Sequence, residues 1–278
     1  MTITRRNVLI TAGAALGAGV GIAPATKPRA APGLWSPIAS GQKAKLGGLT
    51  FEAECGPNPV AIQQSKSGVV RFAMQRGNGW VKDDPDWSER AELDGWPSAL
   101  PTTAPIWVAW SMFLEEGPPS TSDWVIFQQV FQIKGQPFVH VMKSNGVMHW
   151  VGADANMKPG VWPTRHNQKI QPGVWINVVE VYKFDPVGGN GYWKSWVDGR
   201  QVLDFKGALG TKGVEHCYAK FGIYRAVKQT WLGITPNDPV VYVKEALSAR
   251  FANMRFGTQD LSGLIDKPDP TPLWEPWG

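Results

Sequence analysis

Residues 191–205 read GYWKSWVDGRQVLDF, and this stretch decides the class of fold. Residues 191–197 and 200–205 are two short runs that contain aromatic and branched apolar residues, and Asp198-Gly199 separates them. Residues of these types favour β-strands, and Asp-Gly between two such runs is a strong hairpin signal. The stretch therefore predicts an antiparallel β-hairpin with a two-residue turn.

The same pattern continues along most of the chain. Further short strands are predicted at residues 106–114, 124–134, 138–143, 147–151, 174–184, 218–225 and 250–256. Asn145-Gly146 is a second hairpin signal, and one short helix is predicted at residues 242–249. Because the 31 glycines and 23 prolines are spread throughout, short strands separated by turns predict an all-β sandwich or barrel.

The first 32 residues are typical of an export signal. Thr4-Arg5-Arg6-Asn7-Val8-Leu9 contains an arginine pair, and a weakly apolar run rich in Ala and Gly follows up to residue 23. The pair favours the twin-arginine (Tat) route, and the run is shorter than the about 20 strongly apolar residues of a membrane span. We therefore expect Tat export to the periplasm or the outside of the cell and no stable membrane anchor. Residues 33–278 are expected to form a single β-sandwich domain.

Composition narrows the classes of partner. The net charge of +5 suits an anionic partner, but no run of Lys or Arg indicates a nucleic-acid surface. The tryptophan content is high, with 15 residues, and indole rings both fill cores and stack on sugar rings. The two cysteines, Cys55 and Cys217, lack the CxxC spacing of a zinc site, and whether they form a disulfide stays open.

Three segments carry polar residues at alternate positions, which share one face of a strand. The predicted faces are Tyr218, Lys220, Gly222 and Tyr224; Gln128, Val130, Gln132 and Lys134; and Arg90 with Glu92. Each face alone fits an ordinary solvated surface, and Arg90 with Glu92 fits a local ion pair. Together the three faces indicate a polar surface built from several strands.

The same three segments, in the same order, resemble strands of the jelly-roll polysaccharide lyases. The first two, Arg90-Ala91-Glu92-Leu93 and Gln132-Ile133-Lys134-Gly135, are similar to the family's Arg-x-Glu-Leu and Gln-Ile-His-Gly strands. The third, from Tyr218 to Tyr224, is similar to Tyr-Phe-Lys-x-Gly-x-Tyr. The likeness to the heparin lyase I-like, glucuronan lyase and alginate lyase group spans roughly residues 50 to 257. It implies a concanavalin-like jelly-roll β-sandwich of two antiparallel sheets with a concave substrate groove, and cleavage of a uronate-containing polysaccharide by β-elimination.

The resemblance also implies roles for individual residues. Arg90 and Gln132 would hold and neutralise the uronate carboxylate, and Tyr218 would act as base and acid. The pKa of a tyrosine is near 10, so Tyr218 would need a nearby positive charge such as Lys220 in order to ionise. The substrate-binding set is completed by Lys220, Tyr224, Lys134, Glu92, His140 and Arg225, in which Glu92 orients Arg90. The expected protein is a monomer that binds an anionic polysaccharide without a cofactor; Ca²⁺ is compatible with the fold, but no ligand cluster is visible.

One position departs from the family pattern. The histidine expected two residues after the glutamine is Lys134, and counting from Gln128 or Gln129 places no histidine there either. Three alternatives follow. Tyr218 acts as both base and acid; His140 or another histidine reaches the site; or the protein binds a glycan without cleaving it.

Rival classes of function remain beside the lyase. The main alternative is a non-catalytic carbohydrate-binding β-sandwich. A jelly-roll glucanase is disfavoured because its two catalytic carboxylates often come from a Glu-x-Asp-x-x-Glu strand, which the sequence lacks. A purely structural envelope protein would leave the ordered polar faces unexplained.

Overall fold

The structure is a computed structural model that describes residues 35–76, 87–133, 135, 137–143, 145–152, 163–227 and 242–266. These residues contain 17 strands and two short 3-10 helices, Trp96–Ser98 and Ser262–Leu264. The prediction of an all-β fold is confirmed for the residues that the structure describes. The expected export signal, residues 1–32, and Lys134 lie outside the described residues.

Eight strands form one antiparallel sheet, called the back sheet here. In spatial order they are β1 (Trp35–Pro37), β4 (Ile62–Ser65), β5 (Val70–Met74), β17 (Leu247–Gly257), β8 (Ile106–Leu114), β13 (Trp175–Lys183), β14 (Gly191–Val197) and β15 (Arg200–Gly207). The predicted hairpin joins β14 to β15. Asp198 and Gly199 in its turn have φ of 48° and 80°, as a two-residue hairpin turn with two positive φ angles requires.

Nine strands form the second sheet, called the front sheet. Eight of them run in the order β12 (Thr164–Lys169), β11 (Val147–Val151), β10 (Phe138–Met142), β9 (Val125–Gln132), β16 (His216–Ala226), β6 (Ser88–Asp94), β3 (Leu49–Cys55) and β2 (Lys43–Leu46). The two-residue strand β7 (Leu100–Pro101) pairs with the start of β16. All these pairings are antiparallel, and β16 lies near the middle of the sheet.

One continuous apolar core lies between the sheets and fixes their stacking. Phe221 of the front sheet contacts Phe251 of the back sheet, with ring centroids 6.2 Å apart. The indole nitrogen of Trp150 donates across the same space to the Ser195 hydroxyl at 3.0 Å. Since a buried aromatic side chain removes a large apolar area from water, these contacts hold the two layers face to face.

Two smaller expectations can be compared with the structure. The helix predicted at residues 242–249 is wrong, because Leu247 already begins β17 and pairs with Met74. Cys55 and Cys217 are both free and buried, and burial raises the pKa of their thiols to about 11 and about 12. Through β6 the ladder aligns Cys55 with Ile223, six residues or about 20 Å along β16 from Cys217, too far for a disulfide.

Candidate active site

The outer face of the front sheet carries a cluster of charged side chains at β3, β6 and β16. The ladder places Glu54 opposite Glu92, and Lys220 opposite Asp94. Neighbouring positions on these strands, such as Ala53, point inward to the core. The ladder therefore brings charged residues from three distant sequence segments onto one surface, which is called the polar face here.

Gly222 allows β16 and β6 to approach closely in the middle of this face. Its φ is +145°, and a Cβ atom at this position would collide with the carbonyl oxygen of Ala91. Glycine is the residue that tolerates both the backbone angle and the close approach. The predicted glycine of the Tyr218–Tyr224 segment thus has a structural reason to be there.

Lys220 lies at the centre of the charged cluster. Its ammonium nitrogen is 2.8 Å from Glu54 Oε2 and 2.7 Å from Asp94 Oδ2, and the residue is 6% exposed. Burial acts to lower the pKa of Lys220, but Glu92, Glu54 and Asp94 outweigh it and hold the pKa above its usual value. Lys220 is therefore a fixed positive charge at neutral pH and cannot serve as a base.

Arg90 is the second cation of the polar face. Its Nη1 atom lies 3.2 Å from Glu54 Oε2 and 3.3 Å from Glu92 Oε2, and its guanidinium carbon lies 4.1 Å from the centre of the Tyr224 ring. Gln129 of β9 donates from Nε2 to Glu92 Oε1 at 2.8 Å. Arg90 and Gln129 thus meet at the same buried carboxyl group.

Glu92 is fully buried beneath these groups. Burial raises the pKa of Glu92 above its usual value, although Lys220 and Arg90 act to lower it. Removing a carboxylate from water disfavours its charged form, and the two cations only partly compensate. Glu92 contacts Arg90 and Gln129, and its side chain is not exposed to solvent.

Tyr218 projects from β16 beside Lys220 and has aromatic neighbours. Its ring centroid is 5.4 Å from that of Phe131 and 5.6 Å from that of Trp96. Burial, with a contribution from Asp94, raises the pKa of Tyr218 to about 12, and Lys220 only partly opposes this. Lys220 thus acts toward ionisation of the phenol, as the sequence led us to expect, but burial and the neighbouring carboxylates outweigh it in the protein without ligand. Within the described residues the Tyr218 hydroxyl has no hydrogen-bond partner, so it can bond to a ligand.

Gln132 does not join this face, in contrast to the prediction. It is opposite Cys217 in the ladder, faces the interior and accepts a hydrogen bond from the Thr211 backbone at 3.0 Å. A β-bulge in β9 near Phe127 is the cause, since an extra residue reverses which alternate positions face the core. The structure places Gln129 and Phe131 on the polar face in its stead.

His140 and Arg225 were predicted to bind substrate, but both are fully buried on the core side of the front sheet. His140 contacts Gln128 at 2.7 Å and Glu180 at 3.2 Å. Arg225 donates to Glu89 at 2.6 and 2.9 Å. Neither side chain can reach a polymer on the outer surface, because the sheet lies between them.

The structure brings together five of the predicted site residues: Tyr218, Lys220, Tyr224, Arg90 and Glu92. The sequence reasoning missed Glu54, Asp94 and Phe131, and it considered Gln129 only as an alternative to Gln132 when counting to the missing histidine. Asp94 has the same alternation as Arg90 and Glu92 and was detectable in the sequence. Gln129 and Phe131 depend on the bulge, which the sequence does not signal.

The described residues contain no group of three or more His, Cys, Asp or Glu side chains arranged to hold a metal ion. In the polar face, Lys220 and Arg90 lie among the carboxylates and take the place that a cation would need. No helix of the described part is long and apolar enough to cross a membrane.

Solved structures with a similar fold include enzymes of two classes. The chain is similar to the endo-β-1,4-glucuronan lyase of Trichoderma reesei, with 13% identity and a TM-score of 0.51 over 82% of this chain and 95% of that one. It is similar to the alginate lyase Aly36B, with 12% identity and a TM-score of 0.51 over 80% and 96%. It is also similar to a GH131 β-glucanase catalytic domain of Podospora anserina, with 12% identity and a TM-score of 0.50 over 81% and 88%. At these identities the likeness shows the jelly-roll fold alone, as the presence of a glucanase illustrates.

The sequence itself distinguishes between these classes. No curated protein matches the chain. Residues 59–245, two thirds of the chain, match the polysaccharide lyase family, and this range contains Arg90, Gln129, Tyr218 and Lys220. The chain therefore belongs to the polysaccharide lyase family, as a jelly-roll enzyme of the lyase class.

Proposed function

We propose that this lyase cleaves a uronate-containing polysaccharide by β-elimination on the polar face of the front sheet. The observation that carries the proposal is the placement of Tyr218 beside Lys220 on β16, with Arg90 on the adjacent strand. Eliminating a 4-linked sugar from a uronate requires a neutralised carboxylate, a base and an acid. Arg90, Lys220 and Gln129 supply cationic and amide donors, and Tyr218 supplies a group able to transfer protons.

In this proposal Tyr218 carries out both proton transfers, and the reaction uses no cofactor. The ionised phenol takes the proton from C5, the C5–H electrons form the C4=C5 double bond, and the bond from C4 to the glycosidic oxygen breaks. The phenol then gives its proton to that oxygen, so the enzyme returns to its starting state. Because the pKa of free Tyr218 is about 12, kcat/KM should increase with pH through the neutral and mildly alkaline range.

One group acting as both base and acid sets the geometry of the substrate. Phe131 and Trp96, which flank the Tyr218 ring, cannot transfer protons. A single residue reaches one side of the sugar, so the C5 hydrogen and the C4 oxygen must lie on the same side. D-glucuronate and D-mannuronate meet this condition, whereas L-guluronate and D-galacturonate do not. The proposed substrates are therefore glucuronate or mannuronate polymers.

The experiment compares four polymers: glucuronan, polymannuronate, polyguluronate and polygalacturonate. Cleavage is followed by the ultraviolet absorbance of the new double bond, with wild type, Tyr218→Phe and His216→Ala. We expect cleavage of the first or second polymer, and a loss of about 10²-fold to 10⁴-fold in Tyr218→Phe. His216, exposed at the start of β16 and on the same face by alternation, serves as the matched control. Cleavage restricted to the last two polymers and lost in His216→Ala would assign the base to His216 instead.

One observation supports the non-catalytic alternative: the ring beside Tyr218 is the phenyl group of Phe131, which cannot transfer a proton. It predicts that the protein binds one of the polymers and that no double bond forms at any pH. The same four polymers decide between the two functions when binding and absorbance are measured together.

Export is a separate part of the proposal and rests on Arg5-Arg6 and the apolar run that follows. The measurement is the location of the protein in cells with an intact or an inactivated Tat pathway. Replacing both arginines by lysine should retain the protein in the cytoplasm. Export of this variant at the wild-type level would exclude the Tat route.

A further inference from the structure

The outer face of the back sheet carries aromatic and basic side chains far from the polar face. Val108 on β8 and Trp193 on β14 point inward to the core. The positions that alternate with them along these strands, and the ladder partners of those positions, therefore point outward. These outward residues are called the back platform here: Trp107 on β8, Lys183 on β13, Tyr192, Lys194 and Trp196 on β14, and Lys206 on β15.

Two tryptophans form the flat part of the back platform. The rings of Trp107 and Trp196 are parallel to within 13°, with centroids 6.4 Å apart, and both side chains are half-buried. Val179 and Val181 occupy outward positions of β13 between them but are only 5% and 3% exposed. The indole rings therefore lie over these valines and form a continuous apolar surface.

Three lysines lie on the same face as these rings, toward the Tyr192 end of β14. Lys194 lies next to Tyr192, with its nitrogen 5.8 Å from the ring centre, and Lys183 and Lys206 are the ladder partners of Tyr192 on its two sides. Asp204 is the ladder partner of Lys194, but the two are not within ion-pair distance. None of the three lysines has an ion-pair partner among the residues that the structure describes. Among the described residues, three lysines without an ion-pair partner, against the single nearby carboxylate of Asp204, lie on the same face as the two indole rings and favour a ligand with repeated negative charges.

We propose that the back platform is a second polysaccharide-binding site, which holds a strand of an anionic polysaccharide away from the site of cleavage. The apolar faces of pyranose rings stack on the Trp107 and Trp196 indoles, and the carboxylates or sulfates of the chain pair with the lysines. Single-stranded nucleic acid has comparable chemistry, but membership in the polysaccharide lyase family favours the glycan. The site binds its ligand whether or not the polar face cleaves it.

The experiment is native affinity electrophoresis of the full chain in gels that contain polymannuronate or glucuronan, with hydroxyethyl cellulose as the neutral polymer. Tyr218→Phe serves as the background in all gels, so that the polymer stays intact. We expect retardation in the anionic gels alone, and an affinity roughly tenfold lower when Trp107→Ala and Trp196→Ala are combined. Combined Lys183→Ala, Lys194→Ala and Lys206→Ala should weaken binding comparably and reduce its dependence on salt.

Matched variants separate a lost ligand contact from a lost fold. Trp107→Phe with Trp196→Phe retains two flat rings, and Lys→Arg at the three positions retains the charges, so both sets should keep most of the affinity. Circular dichroism must show that the alanine variants are folded. An unchanged affinity in both alanine sets, no retardation of the Tyr218→Phe parent in either anionic gel, or retardation by oligo(dT) alone overturns the proposal. The platform variants are also made with Tyr218 intact, and their formation of double bonds from short oligosaccharides is measured. This activity depends on the polar face alone, so a failure of the proposed cleavage can be distinguished from a failure of the proposed second binding site.

Discussion

Phe131 lies directly opposite Tyr218 in the ladder between β9 and β16, and their ring centroids are 5.4 Å apart. Counted from Gln129, Phe131 is the position two residues on, where the resemblance to jelly-roll lyases implies a histidine. An imidazole there could exchange a proton with the phenol, whereas a phenyl ring can only pack against it. The pair leaves Tyr218 without a proton-transferring partner across the ladder.

Phe131→His should therefore change how the enzyme responds to pH. Wild-type kcat/KM is expected to increase steadily from pH 6 to pH 9, because the pKa of Tyr218 is about 12. The variant should be roughly tenfold or more faster at pH 7, and its profile should level off near the ordinary histidine pKa of about 6.5. Phe131→Leu is the control for loss of packing. Equal rates for the two variants at every pH would mean that this position does not communicate with the proton transfer.

Gln129 and Gln132 form a matched pair for testing which face the substrate uses. Gln129→Ala removes a donor on the polar face and should lower kcat/KM by roughly 10²-fold, and it should also lower the free energy of unfolding by about 1 kcal/mol because the buried Glu92 carboxyl group loses a hydrogen bond. Gln132→Ala should lower the free energy of unfolding by about 1 kcal/mol, because the Thr211 backbone loses its partner, and leave kcat/KM within twofold. Steady-state kinetics and urea unfolding of both variants make the comparison. The opposite pattern would restore Gln132 to the site.

The alternation of β16 was sufficient to predict its outward face. Ala219, Phe221 and Ile223 are in the core, and Tyr218 and Lys220 are outside, because a strand that buries one face repeats every two residues. The same rule failed in β9. Val125 and Phe127 face the core as expected, but the bulge turns Gln132 inward. A bulge depends on the register of neighbouring strands, so a single sequence does not contain it.

The partners within the site were harder to predict than its strands. Glu54 comes from β3 and reaches Lys220, 166 residues later, only because β6 lies between the two strands. The sequence allowed His140 to replace the missing histidine, because a strand has two faces and the local sequence does not show which of them His140 occupies. Sheet order decides both cases, and sheet order is a property of the whole chain.

Glu92→Gln tests the buried carboxyl group through the pH dependence of stability. An acid whose pKa is higher in the folded protein binds more protons when folded, so stability falls as pH rises from its unfolded value, 4.5, through its folded value. Glutamine cannot ionise and keeps an oxygen that accepts from Gln129. The free energy of unfolding of Glu92→Gln, minus that of wild type, should therefore increase from pH 4.5 to pH 8. Urea unfolding at four pH values measures it, with Glu52→Gln as the control on β3; a constant difference contradicts the prediction.

Arg225 provides the test of a residue that the sequence placed at the substrate and the structure places in the core. Its guanidinium donates twice to Glu89 and once to the Glu245 carbonyl. Arg225→Met removes both of its hydrogen bonds to the buried Glu89 carboxylate, whereas Arg76 stays 3.7 Å away. Breaking a buried pair from one side costs about 3 to 5 kcal/mol, and adding Glu89→Leu should recover much of that loss. Urea unfolding of both single variants and the double variant gives the coupling energy. Because the front sheet separates Arg225 from the polar face, KM of the folded enzyme should stay within twofold; a raised KM with unchanged stability would return Arg225 to the substrate.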